Sequence, residues 1–387
     1  MNKGKYVFAQ LTEFLPKRVF DGFVKKYSGN RYVKHFTCWN QMLCMIFGQL
    51  TGRDSLRDLL LAIEAHKQKL YHLGFGKNVT RSNLAKANEN RNSKIFEEFA
   101  YYLIDIARRK RSNDDFQIKG KVYAFDSSTI DLCLSIFWWA KFRKNKAGIK
   151  LHTLFDVVTL IPAFIHITEA TVNDVIAMDF VPYEIGAYYI FDRGYVDFSR
   201  LYKINLLLAF FVIRAKSNLK FRRIYSNKVD KSTGVLCDQI GVLTGFYQSK
   251  DYPEKIRRVK YFDNEDKRTF VFLTNNFELS ATDIALLYKN RWKVELFFKW
   301  IKQHLKVKSF WGCTENAVRT QIFCAIISYC LVAIIGADLK INRSTYEILQ
   351  ILGISLLDKT AVNELFVNSN YNNVKELDYN QLSLNLF

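Results

Sequence analysis

The chain has 387 residues, 49% hydrophobic and 15% aromatic, enough apolar material for a large core, which excludes a largely disordered polypeptide. Its 57 Lys and Arg against 37 Asp and Glu leave a formal charge of +20. A protein this basic concentrates polyanions around itself, and nucleic acid is the commonest of them.

The surplus is uneven. Residues 1–115 hold 21 Lys/Arg against 11 Asp/Glu, residues 116–339 hold 32 against 21, and residues 340–387 hold 4 against 5. The tail is therefore a poor DNA binder and the first two regions are good ones. The seven cysteines include no C-x2-C pair, and an odd number fits no complete disulfide framework. A reduced cytoplasmic protein with packing thiols is the simplest reading. Met1–Arg18 lacks the apolar core of a signal peptide. The apolar run Ile322–Ile335 is shorter than the roughly 18 residues a bilayer crossing needs, so it reads as a buried helix with no membrane role.

Residues 1–115 read as a helical N-terminal domain. Phe8, Leu11, Leu15, Phe20 and Phe23 recur at near-helical spacing around Pro16, and Ser28-Gly29-Asn30 is a turn. Thr37-Cys38-Trp39-Asn40 opens an apolar helix that runs to Leu50. Ser55, with Asp58 three positions on, is a weak capping-box-like start, and Arg81-Ser82-Asn83-Leu84 begins another helix after the Gly74–Gly76 turn. Several short basic helices suit a DNA-binding module, and equally a helical docking domain. Arg108-Arg109-Lys110-Arg111 closes the region before a linker at Ser112–Asp115, as a solvated charge run or a phosphate contact.

From Gln117 the pattern turns to strands, and residues 116–345 read as an α/β domain. Val122–Phe125 is a buried-strand run ending at Asp126, and Ala187–Phe191 is another ending at Asp192. Between them lie strands at Ile149–Val158 and Ala163–Thr168 and a short helix at Asp174–Phe180. Strand-like pieces at Leu206–Arg214, Gly241–Phe246, Arg257–Phe262 and Phe270–Leu273 suggest a β-rich insertion at about 200–283. Ser280 and Asp283 then open a long helix. Residues 346–387 form a tail that starts helical and passes through the polar Asn368–Asn373.

The long helix carries Tyr288, Arg291, Glu295 and Lys302, spaced Y-x2-R-x3-E-x6-K. At about 3.6 residues per turn these side chains share an arc of roughly 60°. Phe297, Ile301 and Leu305 take the other side and can pack on a core. An acid flanked by two cations and a phenol is either a solvated amphipathic face or a place where a metal ion is held beside a nucleic-acid phosphate. Asp126 and Asp192 share a second arrangement, an apolar strand that delivers an acid at its C-terminal end. With Glu295 they supply three oxygen donors from three elements. Hard cations such as Mg²⁺ take oxygen ligands, and two of them about 4 Å apart activate an attacking hydroxyl and stabilise a leaving oxygen with no histidine base.

These residues resemble bacterial insertion-sequence transposases of the DDE type, in the Y-R-E-K signature group (the insertion sequence four family). Tyr288, Arg291, Glu295 and Lys302 match the signature without a gap, and Arg291-Trp292-x-x-Glu295-Leu296-Phe297-Phe298-Lys299 and Ile301-Lys302-Gln303 look like its surroundings. Asp126-Ser127-Ser128-Thr129 resembles the first-aspartate motif, Lys150-Leu151-His152 the strand after it, and Asp192-Arg193-Gly194-Tyr195 the second-aspartate motif. Gly52–Asp58 and Arg81–Asn88 resemble the helical leader of many members, so the likeness runs to about residue 360.

The resemblance implies an α/β fold: a ribonuclease H-like catalytic core with a β-rich insertion, a helical N-terminal DNA-binding domain before it and a short helical tail after it. The 103 positions from Asp192 to Glu295 leave room for the insertion. It implies that Asp126, Asp192 and Glu295 hold two Mg²⁺ ions, with Mn²⁺ able to substitute. It implies nicking at the element's ends, a hairpin on the opposite strand, its hydrolysis, and joining of 3′ ends to target DNA. Tyr288, Arg291 and Lys302 would hold terminal phosphates and a displaced base. Lys299 falls on the signature face and reads as a further phosphate contact to DNA, and Trp292 reads as a DNA contact that stacks on a base or as packing behind the site. The implied partners are terminal inverted repeats, target DNA and a second copy of the chain in a synaptic dimer, in the bacterial cytoplasm and with no membrane.

Other residues carry two readings each. Trp138-Trp139 packs or stacks on bases, and Lys141–Lys146 is a solvated loop or a backbone contact. His152 and His304 lack metal-ligand spacing and read as structural, and Glu169 is an exposed turn residue or a fourth acid. Two alternatives to a transposase stand beside it: a metal-dependent DNA nuclease without strand transfer, and a non-catalytic DNA-binding derivative. The acid triad weighs against the last.

Overall fold

The structure is a computed structural model that describes residues 4–76, 79–111, 118, 120–143, 146–265, 267–305 and 310–366. The linker at Ser112–Asp115, Lys144 and Asn145 of the basic loop, the side chain of His304 and the Asn-rich stretch Asn368–Asn373 lie outside the described residues.

Six helices open the chain: α1 (Val7–Thr12), α2 (Lys17–Lys26), α3 (Cys38–Leu50), α4 (Leu56–Ala65), α5 (Arg81–Asn90) and α6 (Lys94–Lys110). Three start where the sequence signals them. The side chains of Thr37, Ser55 and Thr80 accept the backbone N–H of Asn40, Asp58 and Asn83. A cap of this kind stabilises a helix by about 1 kcal/mol.

Ten strands then form one mixed sheet: β1 (Val122–Leu132), β2 (Lys141–Arg143), β3 (Lys146–Asp156), β4 (Ile161–Glu169), β5 (Tyr188–Phe191), β6 (Phe210–Arg214), β7 (Phe221–Asn227), β8 (Val235–Leu243), β9 (Ile256–Asp263) and β10 (Arg268–Thr274). The sheet runs β2-β3-β1-β5-β6-β10-β9-β8-β7, with β4 also paired to β3. Among β4, β3, β1, β5 and β6, only β3 runs against the others. The strands β7–β10 continue the same sheet, because β10 pairs antiparallel with β6. Leu206–Arg214 was expected inside the insertion; its strand β6 instead pairs parallel with β5. The expected strand Gly241–Phe246 is split: β8 ends at Leu243, and Gly245 opens a short helix.

The remaining α-helices among the described residues are α7 (Phe198–Leu206), α8 (Phe246–Asp251), α9 (Ala281–Lys289), α10 (Trp292–His304), α11 (Glu315–Asp338) and α12 (Thr345–Ser355), and the short helix expected at Asp174–Phe180 is a 3-10 helix. Side chains alternate across the sheet, as the two-residue period of a strand requires. Val122, Ala124, Ile190 and Val212 join the large helical core. Tyr123, Phe125, Tyr189, Phe191 and Phe211 face a second core under α7.

The apolar run expected as a buried helix is part of α11, which is long and apolar enough to cross a membrane by length and composition. It is instead the core helix, with 89% of its apolar window buried. A helix apolar on every side needs protein on every side. Asn316 ties it to the N-terminal helices by donating to the carbonyls of Asn88 and Arg91. The segment after α12 closes on α1: Val7 and Phe8 N–H groups donate to the carbonyls of Asp358 and Leu356. The N-terminal helices therefore share one hydrophobic core with α11, α12 and a face of the sheet.

Candidate active site

Asp126 and Asp192 stand side by side because β1 and β5 are parallel and Phe125 lies opposite Phe191. The next residue along each is the acid. Asp192 follows the last residue of β5, as expected. Asp126 does not end its strand. β1 continues to Leu132, held extended by β3, with Asp126 opposite Thr153. What ends at Asp126 is the parallel partner, and there β1 passes from fully buried to partly exposed. The row extends one strand further, since Phe191 lies opposite Ile213 and the next residue of β6 is Arg214. Asp126, Asp192 and Arg214 thus occupy adjacent places on three parallel strands.

The four signature residues do not share one helix. Tyr288 lies in the last turn of α9, which ends at Lys289, and Arg291 is the N-cap of α10. Asn290 and Arg291 keep right-handed helical backbone, but Arg291 N–H donates to Tyr288 O and Val294 N–H to Arg291 O, an i to i+3 pattern. Such a tight step separates α9 from α10 while leaving the apolar spacing nearly unchanged. Two residues three apart therefore reach different acids. The Tyr288 hydroxyl donates to Asp192 Oδ1 at 3.1 Å. Arg291 donates through Nη1 to Asp126 Oδ2 at 3.1 Å and through Nη2 to Glu295 Oε1. Phe297, Ile301 and Leu305 are buried beneath, as expected.

The other expected contacts spread outward. Lys302 donates from Nζ to the carbonyl of Thr129 at 2.8 Å, further along β1, and Lys299 is exposed on α10. Trp292, 48% exposed, lines a cavity of about 610 Å³ with Asp192, Arg214, Phe270, Phe272 and Tyr288. The Tyr288 ring lies 4.6 Å from that of Phe272, and the Arg214 guanidinium 5.2 Å from the Phe270 ring.

Burial, with the charges of Glu295 and Asp192 beside it, pushes the Asp126 carboxyl up to about 6, against the Ser127 N–H and Arg291 that favour its ionised form. Burial and then Asp192 push Tyr288 up to about 12, so it is a neutral donor. Burial works against the charge of Arg291, but Tyr288, Glu295 and Asp126 together raise its pKa. Carboxylate oxygens are the donors that hard divalent cations take. Among the described residues, however, no three His, Cys, Asp or Glu side chains are gathered closely enough to hold one ion. The Arg291 guanidinium bonds both Asp126 and Glu295, so it supplies the positive charge between them. The carboxylate chemistry suits a hard cation, but Arg291 now holds the place beside Asp126 and Glu295.

Arg214 was missed although its signal was present: Phe210-Phe211-Val212-Ile213-Arg214 is an apolar strand ending in a charge, like those before the two aspartates. Lys150 lies on β3, the strand expected after the first aspartate, and Asp174 opens the expected short helical turn. Asp174 accepts from Ser127 Oγ at 2.8 Å and pairs with Lys150 at 3.1 Å, a contact that exists only once β1 and β3 pair. His152 is fully buried and bonds Thr168 Oγ1, and Glu169 is exposed. The tryptophan pair divides: Trp139 donates to the Cys313 carbonyl, and Trp138 is 77% exposed.

Residues 118–331 match the family model described as the transposase DDE domain. The chain belongs to the DDE transposase family. Residues 3–76 match a domain of unknown function. The transposase is 35% identical to the y4zB transposase of Sinorhizobium fredii over 69% of this chain and 74% of that one. It is 31% identical to the transposase of insertion sequence element IS5377 from Geobacillus stearothermophilus, over 53% of this chain and 54% of that one. A transposase of element IS4SA from Synechocystis is 23% identical over 74% and 80%. A cryo-EM structure of the piggyBac transposase synaptic complex with hairpin DNA aligns at 12% identity, with a TM-score of 0.46, over 97% of this chain and 85% of that one.

Proposed function

We propose that this transposase cuts the ends of its insertion sequence and transfers the 3′ ends to target DNA at a centre built from Asp126, Asp192 and Glu295. The observation that carries the reading is the register that sets Asp126 beside Asp192, with Glu295 sharing the guanidinium that binds Asp126. The strand order β4-β3-β1-β5-β6, with β3 alone reversed, supports a ribonuclease H-like core. The strands β7–β10 would be its β-rich insertion.

The three carboxylates would hold two divalent cations, Mg²⁺ or Mn²⁺, which when bound activate the attacking hydroxyl and stabilise the leaving oxygen. The rest falls to the chain's own groups. Arg291 exchanges its carboxylates for phosphate oxygens, to which its planar fork is matched. Tyr288 stays neutral and orients Asp192 through its hydroxyl. The faces of Tyr288 and Trp292 offer a displaced base a stacking surface, and Lys302 and Lys299 grip the backbone further along α10. The same sites serve a hairpin route, in which the freed 3′-hydroxyl attacks the opposite strand. Pairing of two ends calls for a dimer, and seven free cysteines suit a reduced cytoplasm.

The test is a cleavage and strand-transfer assay with full-length protein, Mg²⁺ and DNA carrying the element's ends. Asp126→Asn, Asp192→Asn and Glu295→Gln should each reduce both steps by at least about 100-fold while the chain stays folded. If all three retained wild-type activity, the triad assignment would be wrong.

A further inference from the structure

Asp126 is gripped from both faces of the sheet. Arg291 reaches it from the head of α10, whose Phe297 and Ile301 belong to the large helical core. On the other face, Tyr123 and Phe125 of β1 and Leu154 of β3 point into the core under α7. By the two-residue period of a strand, Ser127, Lys150 and His152 point the same way. Ser127 and Thr129 lie opposite His152 and Lys150. Facing them is Asp174, the first residue of the 3-10 helix whose Ala177 and Met178 pack in that core.

The contacts converge on one oxygen. Asp174 Oδ1 accepts from Ser127 Oγ at 2.8 Å and lies 3.1 Å from Lys150 Nζ. Lys150, 13% exposed, also donates to the Val172 carbonyl at 2.7 Å, and the Asn173 side chain accepts the Val175 N–H. The chain is thus pinned on either side of Asp174. His152, fully buried, has Nδ1 3.9 Å from the same oxygen. The single hydroxyl hydrogen of Thr168 goes to the Glu169 carbonyl, so His152 Nε2 donates to Thr168 and Nδ1 carries no proton. Burial lowers the His152 pKa, so Lys150 alone supplies the countercharge. Ser127 joins this group to the catalytic carboxylate. The Lys121 carbonyl points to β5 and accepts from Tyr188 N–H, whereas the Val122 carbonyl points to β3 and accepts from Val157 N–H. Ser127 continues the first set, but β5 has ended beside it. Its N–H instead donates to Asp126 Oδ1 at 2.8 Å, while Oδ2 accepts from Arg291. Three acids also surround one phenol. Tyr195 is 3% exposed and packs on Phe125, and burial, then Asp126, Asp174 and Asp192, push its hydroxyl up.

We propose, resting on the reading of Asp126 as a cation ligand, that Asp174 is a positioning residue of the cleavage centre. By holding the Ser127 hydroxyl it fixes the Ser127 N–H on Asp126 Oδ1, which leaves Oδ2 as the oxygen offered to Arg291 or to a cation. Asp174 acts through Ser127 and is not itself a ligand. Partners that orient a ligand in this way change metal affinity or activity by about 10- to 100-fold when removed. Asp174→Asn separates positioning from charge: it keeps an oxygen for the Ser127 hydroxyl and gives up the ion pair with Lys150.

The experiment uses the full chain and DNA carrying the element's end. It measures Mn²⁺ affinity by electron paramagnetic resonance, single-turnover cleavage at saturating protein, and duplex affinity without divalent cation. Asp174→Ala and Ser127→Ala should each weaken Mn²⁺ binding and slow cleavage by about 10- to 100-fold, with duplex affinity unchanged. The double variant should be no worse than either single one, because both break the same bond. Asp174→Asn should restore most of the Mn²⁺ affinity and cleavage rate while melting below the wild type. Wild-type Mn²⁺ affinity and cleavage in Asp174→Ala, losses that multiply in the double variant, or an Asp174→Asn as impaired as Asp174→Ala would overturn the assignment. Ser127→Ala decides the matter should Asp174→Ala not fold, since wild-type behaviour in it would overturn the role equally. Asp126→Asn is run alongside. If it cuts as the wild type does, the acid centre fails and the positioning role with it; if it is inactive while Asp174→Ala behaves as wild type, the positioning role alone fails.

Discussion

Arg291 holds the acid site together before DNA arrives, and its removal should separate stability from chemistry. Arg291 and Asp126 are 18% and 20% exposed at their side chains, with 3.1 Å between Nη1 and Oδ2. At an effective dielectric near 20 such a pair attracts by about 4 kcal/mol before desolvation is counted. Removing one partner of a fully buried pair costs about 3–5 kcal/mol; partial exposure here brings this to about 2–3. Glu295 is 54% exposed, so its share is under about 1 kcal/mol. Arg291→Ala should therefore lose about 2–3 kcal/mol of metal-free stability. Mg²⁺ should then bind more tightly, by about tenfold for each 1.4 kcal/mol of competition that is lifted. Cleavage should fall regardless, because the proposed phosphate clamp is gone. Thermal melting across a Mg²⁺ series reads the first two effects. Unchanged metal-free stability together with unchanged Mg²⁺ affinity would refute the competition between guanidinium and cation.

Particular contacts set three further outcomes. Tyr288→Phe keeps the ring on Phe272 and deletes only the bond to Asp192, so stability should drop by about 1 kcal/mol while DNA affinity stays near wild type; a melt and a gel shift check this. Burial, chiefly, lowers His152 to about 4 from its ordinary 6.5. Between these values the unfolded chain binds the proton and the folded chain does not, so the contribution is complete above pH 6.5 and lost as pH falls toward 4. The loss is on the order of 3 kcal/mol, and His152→Gln should flatten this part of the stability profile. A Cβ at Gly48 would lie 2.4 Å from Trp311 Cη2, so Gly48→Ala should destabilise the core by about 1–3 kcal/mol, read as a lower melting temperature.

How legible each feature was in the sequence depended on how local its cause is. Tyr189-Ile190-Phe191 followed by Asp192 reads correctly as a strand ending in an acid, because β5 does stop there. Val122–Phe125 followed by Asp126 carries the same pattern, yet β1 continues, since β3 pairs with it for six more residues. That pairing is set by residues some twenty positions away. The break at Asn290–Arg291 left no mark on the hydrophobic period, which survives a single i to i+3 step. Caps at Thr37 and Ser55 announced their helices, as local hydrogen bonds can. The shared core of those helices with α11 was not legible, because it joins apolar side chains more than 200 positions apart, a gap that Asn316 also bridges to Asn88 and Arg91. Arg214 obeys the strand-end pattern that reveals the aspartates, but its place beside them depends on β6 pairing parallel with β5, which no local signal announces.

The proposed chemistry requires Asp126, Asp192 and Glu295 to hold divalent cations together. The most direct measurement is a count of bound Mn²⁺ by electron paramagnetic resonance, on the full chain with a DNA end and again on Asp126→Asn, Asp192→Asn and Glu295→Gln. Two-metal catalysis predicts about two ions per chain for the wild type and a lower count for every variant, in step with lost cleavage. An unchanged count in the variants, with the fold intact, would contradict it.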